Sequence, residues 1–179
     1  MQGTRLLGLL AVAICLATLP AQAGSAESVS TEVHRISTEG REASVGEVTF
    51  TDTKHGLLVD PDLENLQPAG PHAAHVHEQG DCGPGEGGDM AGAAAGGHYD
   101  PQGTGRHEGP YGEGHLGDLP NLIVEKDGAA SIPVLAPRLQ VSDIRGRSLM
   151  IHAKPDRYTS HGMHTHGKGG LRMYCGVIE

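Results

Sequence analysis

Two histidines, His75 and His77, stand two residues apart in the stretch HAAHVHEQGDC, which spans residues 72–82. The stretch reads as a β-strand, in which side chains at positions i and i+2 lie on the same face. Such a strand offers two imidazoles to one metal ion. On its own the pair is weak evidence, because two solvated or hydrogen-bonded histidines give the same pattern.

A second group of candidate ligands lies in the glycine-rich segment 96–122. It contains three imidazoles and one carboxylate, which belong to His98, His107, His115 and Asp118. These groups form a closed tetrahedral set for zinc, and a glycine-rich loop could turn all of them toward one point. His152, in the strand-like segment SLMIHAK, could add an imidazole to the His75 and His77 pair. Ligation by nitrogen alone in a tetragonal arrangement suits Cu(II).

The composition limits the class of protein that positions these residues. A chain of 179 residues suits one domain with a sizeable core. Only 3% of the residues are aromatic, with one Phe and no Trp, so the core must consist of Val, Leu, Ile and Ala. The 28 glycines and 11 prolines indicate long ordered loops rather than a helical bundle. A net charge of -9 disfavours nucleic acid as a partner.

The N-terminal residues 1–23 have the features of a secretory signal peptide. Arg5 precedes the apolar run LLGLLAVAICLATL, and the small residues AQA follow. We expect cleavage after Ala23, which leaves residues 24–179 as a single secreted domain that is not attached to a membrane. A membrane anchor is the alternative, but the apolar run is short for a bilayer.

The cysteines are consistent with export. Lipidation of Cys15 is a further alternative, but Ile14 is bulkier than the small residue that such a site requires before the cysteine. Cys82 and Cys175 remain in the mature chain. An oxidising compartment favours a disulfide between them.

Eight short segments rich in β-branched or alternating apolar residues recur between turn signals. They are SVSTEVHRI, VGEVTFT, HGLLVD, AAHVHE, NLIVEK, ASIPVLA, SLMIHAK and MYCGVIE. With no convincing helix, they predict an antiparallel β-sandwich or barrel. Asp127 and Gly128 predict a hairpin between the fifth and sixth segments. Residues 79–120 and 155–170 predict long loops, which are usually functional in a compact domain.

The joint pattern of motifs resembles the copper/zinc superoxide dismutases, in particular the secreted bacterial branch. The motifs are HVHE, GGHYDP, GRHEGP, GHLGDLPNL, RSLMIHAKPD and LRMYCGVI, in the family's order over nearly the whole mature chain. The resemblance implies an all-β Greek-key sandwich or flattened barrel of eight antiparallel strands. It also implies one copper and one zinc ion per subunit, the dismutation of superoxide to dioxygen and hydrogen peroxide, a periplasmic location, and a monomer or homodimer.

Individual roles follow from the same resemblance. Copper would be held by His75, His77, His98 and His152, and zinc by His98, His107, His115 and Asp118. His98 would therefore bridge the two ions, and it would also carry a proton during turnover. Asp156 would link His75 to His107 as a hydrogen-bonding partner of both ligands. Arg172 would dock the superoxide anion beside copper, and Cys82 would pair with Cys175.

Other functions are consistent with parts of the sequence. One is a copper-binding or copper-delivery protein on the same fold without turnover, and another is a structural secreted sandwich with incidental histidines. The presence of both His98 and Arg172 favours the enzyme. His72 is expected to form structural hydrogen bonds, because copper already has four imidazoles. Residues 160–170 are not required by the family pattern, and a solvated loop or auxiliary copper capture would explain their histidines, His161, His164 and His166.

Overall fold

β-Strands form most of the regular structure in the computed structural model, which describes residues 26–159 and 169–179. Nine strands are present in these ranges: β1 (Ser28–Ser37), β2 (Gly40–Thr53), β3 (Gly56–Leu63), β4 (Gly70–His72), β5 (Ala74–His77), β6 (Leu122–Val124), β7 (Val134–Ala136), β8 (Arg147–His152) and β9 (Arg172–Ile178). A short helix, α1 (Val141–Ile144), and a 3₁₀ turn at Ala93–Ala95 accompany them. The predicted all-β class is confirmed. The prediction of eight strands without a helix missed β4 and α1, which are too short to give a periodic pattern.

Seven strands form one antiparallel sheet in the order β5-β8-β9-β1-β2-β3-β7, and β4 pairs with β6 in a second sheet. β9 returns beside β1, and β8 pairs with β5, so strands distant in sequence are neighbours, as a Greek-key topology requires. The large sheet curls into a half-barrel. Leu122 and Val124 of β6 belong to the same buried cluster as Val33 of β1, so the two sheets share one core.

The turn at Asp127 and Gly128 forms, but its flanking strands do not pair with each other. Glu125 N donates to Ala129 O at 2.7 Å, and Gly128 N donates to Glu125 O at 3.0 Å. β6 pairs with β4, whereas β7 pairs with β3. The hairpin prediction is therefore wrong beyond the turn itself, because a local turn signal says nothing about partners that approach from other parts of the chain.

Aliphatic side chains dominate the core, as the composition predicts. Leu57 and Val59 of β3 point inward and are fully buried, while the intervening Leu58 is only partly buried. The single phenylalanine, Phe50, is also fully buried. Each such side chain contributes about 1.5–3 kcal/mol when it leaves water. This core forms the support on which the strands that carry candidate ligands rest.

The long loop expected between β5 and β6 is present. Residues 78–121 contain no strand of their own and only the short 3₁₀ turn. No helix within residues 26–159 and 169–179 is long and apolar enough to span a bilayer.

Candidate metal centre

The side chains of strand β5 alternate between the apolar core and the candidate site. All four of its residues are buried. Ala74 and Val76 belong to the apolar core, so His75 and His77 lie on the opposite face. β5 pairs with β8 over its whole length. His152 is the last residue of β8, and it adds a third imidazole to the same region.

The free edge of β5 organises the long loop. β5 is the end strand of the large sheet, and its unpaired side forms isolated bridges that place His98 opposite His77 and Asp118 opposite His75. Gly117 approaches so closely that an added Cβ would overlap the carbonyl oxygen of Val76. A glycine is therefore required directly before Asp118. In this way one strand edge brings together ligands that lie far apart in the sequence.

Four imidazoles form what we call the four-histidine set. Their ligand nitrogens all lie within 4.8 Å of one another, and the residues are His75, His77, His98 and His152. The rings of His75 and His98 stack with centroids 3.8 Å apart. These are the residues predicted to hold copper, and the fold brings all of them together.

In three of these four rings, one nitrogen forms a hydrogen bond with a residue outside the set. The donors and acceptors are His75 Nε2 to Asp156 Oδ2 at 2.7 Å, His77 Nδ1 to Gly96 O at 3.0 Å, and His152 Nδ1 to Gly170 O at 3.0 Å. The opposite nitrogens of these three rings are buried and have no hydrogen-bond partner among the described residues. An unsatisfied buried polar atom costs about 1–3 kcal/mol. A metal ion would satisfy these lone pairs, so the set fits copper ligated by nitrogen.

A second cluster surrounds the Asp118 carboxylate, which is buried. Three imidazole Nδ1 atoms approach its oxygens: His98 at 2.8 Å, His107 at 2.9 Å and His115 at 3.4 Å. We call these four residues the Asp118 cluster. Nδ1 of His115 is buried and has no hydrogen-bond partner in the described ranges. Three imidazoles and one carboxylate match the donor set of a structural zinc ion.

The distances divide the ligands slightly differently from the sequence prediction. The second group of ligand atoms that lie within 4.8 Å of one another contains His75, His98, His107 and Asp118. His75 takes the place there of His115, which the sequence assigns to zinc. Because Nδ1 of His75 also belongs to the four-histidine set, His75 and His98 both lie where the two groups meet.

Burial and mutual proximity keep most of these imidazoles neutral. Burial, with His98 nearby, lowers the pKa of His77 to about 2, and burial lowers the pKa of His152 to about 4. The pKa of His75 is also well below its ordinary value, chiefly through burial. Neutral imidazoles have the lone pairs that metal ligation requires.

Asp118 and His107 behave differently because they pair. Burial opposes their charged forms, yet hydrogen bonds to Asp118 and Asp156 raise the pKa of His107 to about 9. Hydrogen bonds from His107 and His98, together with the His115 imidazole 3.4 Å away, likewise outweigh burial and hold the pKa of the Asp118 carboxyl far below its usual range. The Asp118 cluster therefore contains a permanent carboxylate, which favours a cation at its centre.

Asp156 joins the two groups of ligands. One carboxylate oxygen accepts a hydrogen bond from His75 Nε2 and the other accepts one from His107 Nε2, each at 2.7 Å. Asp156 is itself buried. This is the link expected for Asp156, and it fixes which nitrogen of each ring faces a metal ion.

An open cavity of about 810 Å³ leads to the four-histidine set. His77, His98 and His152 line it together with Arg172, and Lys154 and Asp89 stand on its wall. The Arg172 guanidinium donates to the carbonyl oxygens of Gly92 and Gly96, the latter at 2.7 Å. Arg172 therefore presents a fixed positive charge to an anion that enters the cavity.

The predicted disulfide is present. Cys82 and Cys175 are bonded, with Cα atoms 5.8 Å apart across a sequence separation of 93 residues. Cys175 lies in β9, which also carries Arg172. The bond therefore ties the loop that leads to His98 to the strand that carries Arg172.

His72 behaves as a structural residue, in agreement with the prediction. Its ring nitrogens lie 2.6 Å from His152 O and 2.7 Å from Pro68 O. Both nitrogens are therefore engaged with backbone, and neither is available to a metal ion.

Four supporting residues were missed by sequence reasoning. Arg138 donates to the carbonyl oxygens of Gly114 and His115 at 3.0 and 3.3 Å. Arg147 stacks over Tyr99, the neighbour of His98, at 3.5 Å from the ring centroid. Asn121 and Tyr158 contact Asp156. Of the four, only Asn121 and Arg147 fall within a recognised motif, and Tyr158 carries no local signal at all.

Some predictions fall on residues 1–25 and 160–168, which lie outside the described residues. They are the signal peptide over residues 1–23, the lipidation alternative at Cys15, and auxiliary copper capture by His161, His164 and His166. These remain predictions.

Comparisons with known proteins agree with this geometry. A family model described as copper/zinc superoxide dismutase (SODC) matches residues 44–178. A curated copper-zinc superoxide dismutase of Legionella pneumophila is 52% identical over 136 residues, which make up 76% of this chain and 78% of that protein. The structure is similar to that of Cu/Zn superoxide dismutase from Brucella abortus, with a TM-score of 0.80 and 42% identity over 86% of this chain and 100% of that one. The solution structure of the monomeric copper, zinc superoxide dismutase from Salmonella enterica gives a TM-score of 0.76 and 44% identity over the same shares, 86% and 100%.

Proposed function

Because this chain belongs to the copper/zinc superoxide dismutase family, we propose that its two adjoining ligand groups divide copper and zinc between them. The protein is an oxidoreductase that converts two superoxide anions and two protons into dioxygen and hydrogen peroxide, with copper and zinc as cofactors. The proposal concerns which residues perform each task. The observation that carries it is the position of His98, whose ring belongs to the four-histidine set while its Nδ1 contacts Asp118.

We assign copper to the four-histidine set and zinc to the Asp118 cluster. The nitrogen-only donors of the first suit copper, whereas the carboxylate and imidazoles of the second suit zinc. His115 is kept as the zinc ligand in preference to His75, because Nδ1 of His75 is needed by the first set. When bound, copper supplies the one-electron redox chemistry of both half-reactions, and zinc supplies structural and electrostatic support.

His98 is proposed as both bridge and proton carrier. Its Nδ1 lies 2.8 Å from Asp118 Oδ1, so Nε2 is the nitrogen left for the four-histidine set. Held through Nδ1, the ring can take a proton on Nε2 and deliver it to reduced substrate without leaving the site. Because His98 lines the cavity, an anion that enters it can approach the ring.

Arg172 is proposed to bind and orient superoxide. Its two hydrogen bonds to loop carbonyls fix the guanidinium on the cavity wall, and a fixed cation favours an anion over neutral competitors. Lys154 on the same wall adds positive charge, while Asp89 offsets part of it. The local field thus favours superoxide even though the chain carries a net charge of -9.

The assignment is tested by metal analysis of the purified protein, together with a superoxide-consumption assay run with and without cyanide. We expect one copper and one zinc per chain and activity that cyanide inhibits. Full metal content without turnover would instead favour the alternative, a copper-binding or copper-delivery protein on the same fold. Replacement of His115 by Gln should remove zinc and retain copper, and the converse loss would reverse the assignment.

We further propose that the protein acts outside the cytoplasm, in the periplasm, as a monomer or homodimer. The apolar run that follows Arg5 and the Cys82–Cys175 disulfide support export to an oxidising compartment. The Salmonella enterica relative is described as monomeric. Cell fractionation with N-terminal sequencing tests the location and the expected cleavage after Ala23. Sedimentation of the purified protein tests the oligomeric state.

A further inference from the structure

Tyr158 has a backbone conformation that a bulky residue rarely adopts. Its φ is 51°, in the left-handed region, two residues after the buried Asp156. An aromatic side chain there is strained, and it persists only where the surrounding contacts require it. The contacts of Tyr158 must therefore hold this conformation in place.

Four hydrogen bonds connect Tyr158, Asn121 and Asp156. Tyr158 N donates to Asp156 Oδ1 at 2.8 Å, and the phenol oxygen accepts from Asn121 N at 2.6 Å. Asn121 completes the group by accepting from Asp156 N at 2.8 Å and donating to Asp156 O at 3.1 Å. The Asp156 carboxylate, which joins His75 to His107, is thus held in two ways. Asn121 fixes the backbone of Asp156, and the Tyr158 amide donates to one of its carboxylate oxygens.

The ring of Tyr158 also supports the Asp118 cluster. It lies against Gly109, where an added Cβ would be 2.6 Å from Cδ1 of the ring. Gly109 has a φ of 71°, so it is favoured as glycine for its conformation as well as for this close approach. Gly109 N donates to Asp118 Oδ2 at 3.2 Å. The side chain of Tyr158 therefore contacts Asn121, which supports Asp156, and Gly109, which supports Asp118.

We propose that Tyr158 is a positioning residue of the metal centre. Through Asn121 and its own amide it sets the orientation of Asp156, and through Gly109 it sets the loop that carries Asp118. The inference rests on the metal assignment proposed above. Its consequence is that the rings of His75 and His107 are oriented together, because both donate to the carboxylate that Tyr158 holds.

The test compares Tyr158→Phe with the unaltered holoenzyme, with copper reduced so that both ions are diamagnetic. Phenylalanine keeps the ring on Gly109 but removes the acceptor of Asn121 N. The readout is the ¹H NMR signals of the imidazole N–H protons. We expect the Nε2–H signals of His75 and His107 to shift, while the Nδ1–H signals of His77 and His152, which donate to backbone carbonyls, stay in place.

Zinc affinity provides a second readout. Loss of an outer hydrogen-bonding partner typically weakens metal binding by 10–100-fold, and we expect about tenfold for Tyr158→Phe. Tyr111→Phe is the matched control, because Tyr111 lies in the loop that carries Gly109 and is 70% exposed. It should change neither the N–H signals nor zinc affinity.

Two results would overturn the inference: unchanged His75 and His107 signals, or equal shifts at all four histidines, which indicate a general packing role. If Tyr158→Phe fails to fold, Asn121→Ala is measured in the same way, since it removes both side-chain hydrogen bonds to the Asp156 backbone without adding a charge. The metal content of the unaltered protein separates the two proposals. Absence of copper and zinc there would refute the metal assignment, whereas unshifted signals in a variant with both metals would refute only the role of Tyr158.

Discussion

Arg172 donates a hydrogen bond of 2.7 Å to the carbonyl oxygen of Gly96. The same oxygen accepts from His77 Nδ1 at 3.0 Å, so one backbone carbonyl orients both the proposed anion-binding cation and a proposed copper ligand. The relative position of Arg172 and His77 is therefore fixed. This suits a site where the substrate must approach the metal ion in one geometry.

Reversal of the charge at Arg172 should slow the reaction without removing the metals. For Arg172→Glu we expect kcat/KM to fall by about 10–1000-fold, the range over which local charge changes capture rates, and more at low ionic strength. Stopped-flow superoxide decay at several salt concentrations measures this. Arg41→Glu is the control, since it makes the same change of charge at an exposed position on β2. Loss of copper or zinc from Arg172→Glu would show that its contacts with Gly92 and Gly96 are its main role.

Removal of the proposed bridge should affect both metals at once. His98→Ala takes one ligand from the four-histidine set and one from the Asp118 cluster. We expect weaker binding of copper and of zinc and loss of dismutation, measured by metal analysis after dialysis and by superoxide decay. His34→Ala, at a partly buried histidine of β1, should have no such effect. Substantial activity in His98→Ala at full copper occupancy would contradict the bridging assignment.

The disulfide should contribute most to stability in the metal-free protein, where no bound ion stabilises the fold. In the loop-closure model, a bond across 93 residues stabilises the chain by roughly 4–5 kcal/mol. We therefore expect the metal-free Cys82→Ser/Cys175→Ser variant to unfold at much lower urea concentration than the metal-free parent protein. Addition of a reductant should lower the midpoint of the parent and leave that of the variant unchanged. A parent midpoint that does not respond to reduction would rule out this contribution.

Stability of the metal-free protein should fall below neutral pH. The folded-state pKa values of His77 and His152, about 2 and about 4, lie below the unfolded value of about 6.5. The unfolded chain therefore takes up protons first as the pH drops. The stability from these neutral imidazoles is present above about pH 6.5. It is lost as the pH falls, down to about pH 4 for His152 and about pH 2 for His77, by about 1.4 kcal/mol per pH unit for each histidine.

His107 has the opposite dependence. Because its pKa is raised to about 9 in the folded state, its contribution is full below about pH 6.5 and is lost as the pH rises to 9. Maximum stability of the metal-free protein is therefore expected near neutral pH. Urea unfolding at pH 5, 7 and 9 measures both slopes, and His152→Gln should flatten only the acidic one. Equal stability at pH 5 and pH 7 would contradict the neutral state of the buried imidazoles.

The sequence by itself determined the types of ligand and their local geometry. Alternation along a strand placed His75 and His77 on one face, because that relation depends only on the two-residue period of extended chain. The core composition and the long loop between β5 and β6 followed from equally local signals. The resemblance to a known family then supplied the bridging role of His98 and the roles of Asp156 and Arg172.

Only the tertiary structure decided how the loop residues meet. His98 and Asp118 reach β5 because its outer edge is unpaired in the large sheet, and no periodic pattern in a glycine-rich segment encodes that contact. The close approach of Gly117 to Val76 and the hydrogen bond between Tyr158 and Asn121 are likewise long-range relations. Such contacts depend on the positions of chain segments brought together by the shared core, so they arise only once the whole chain has folded.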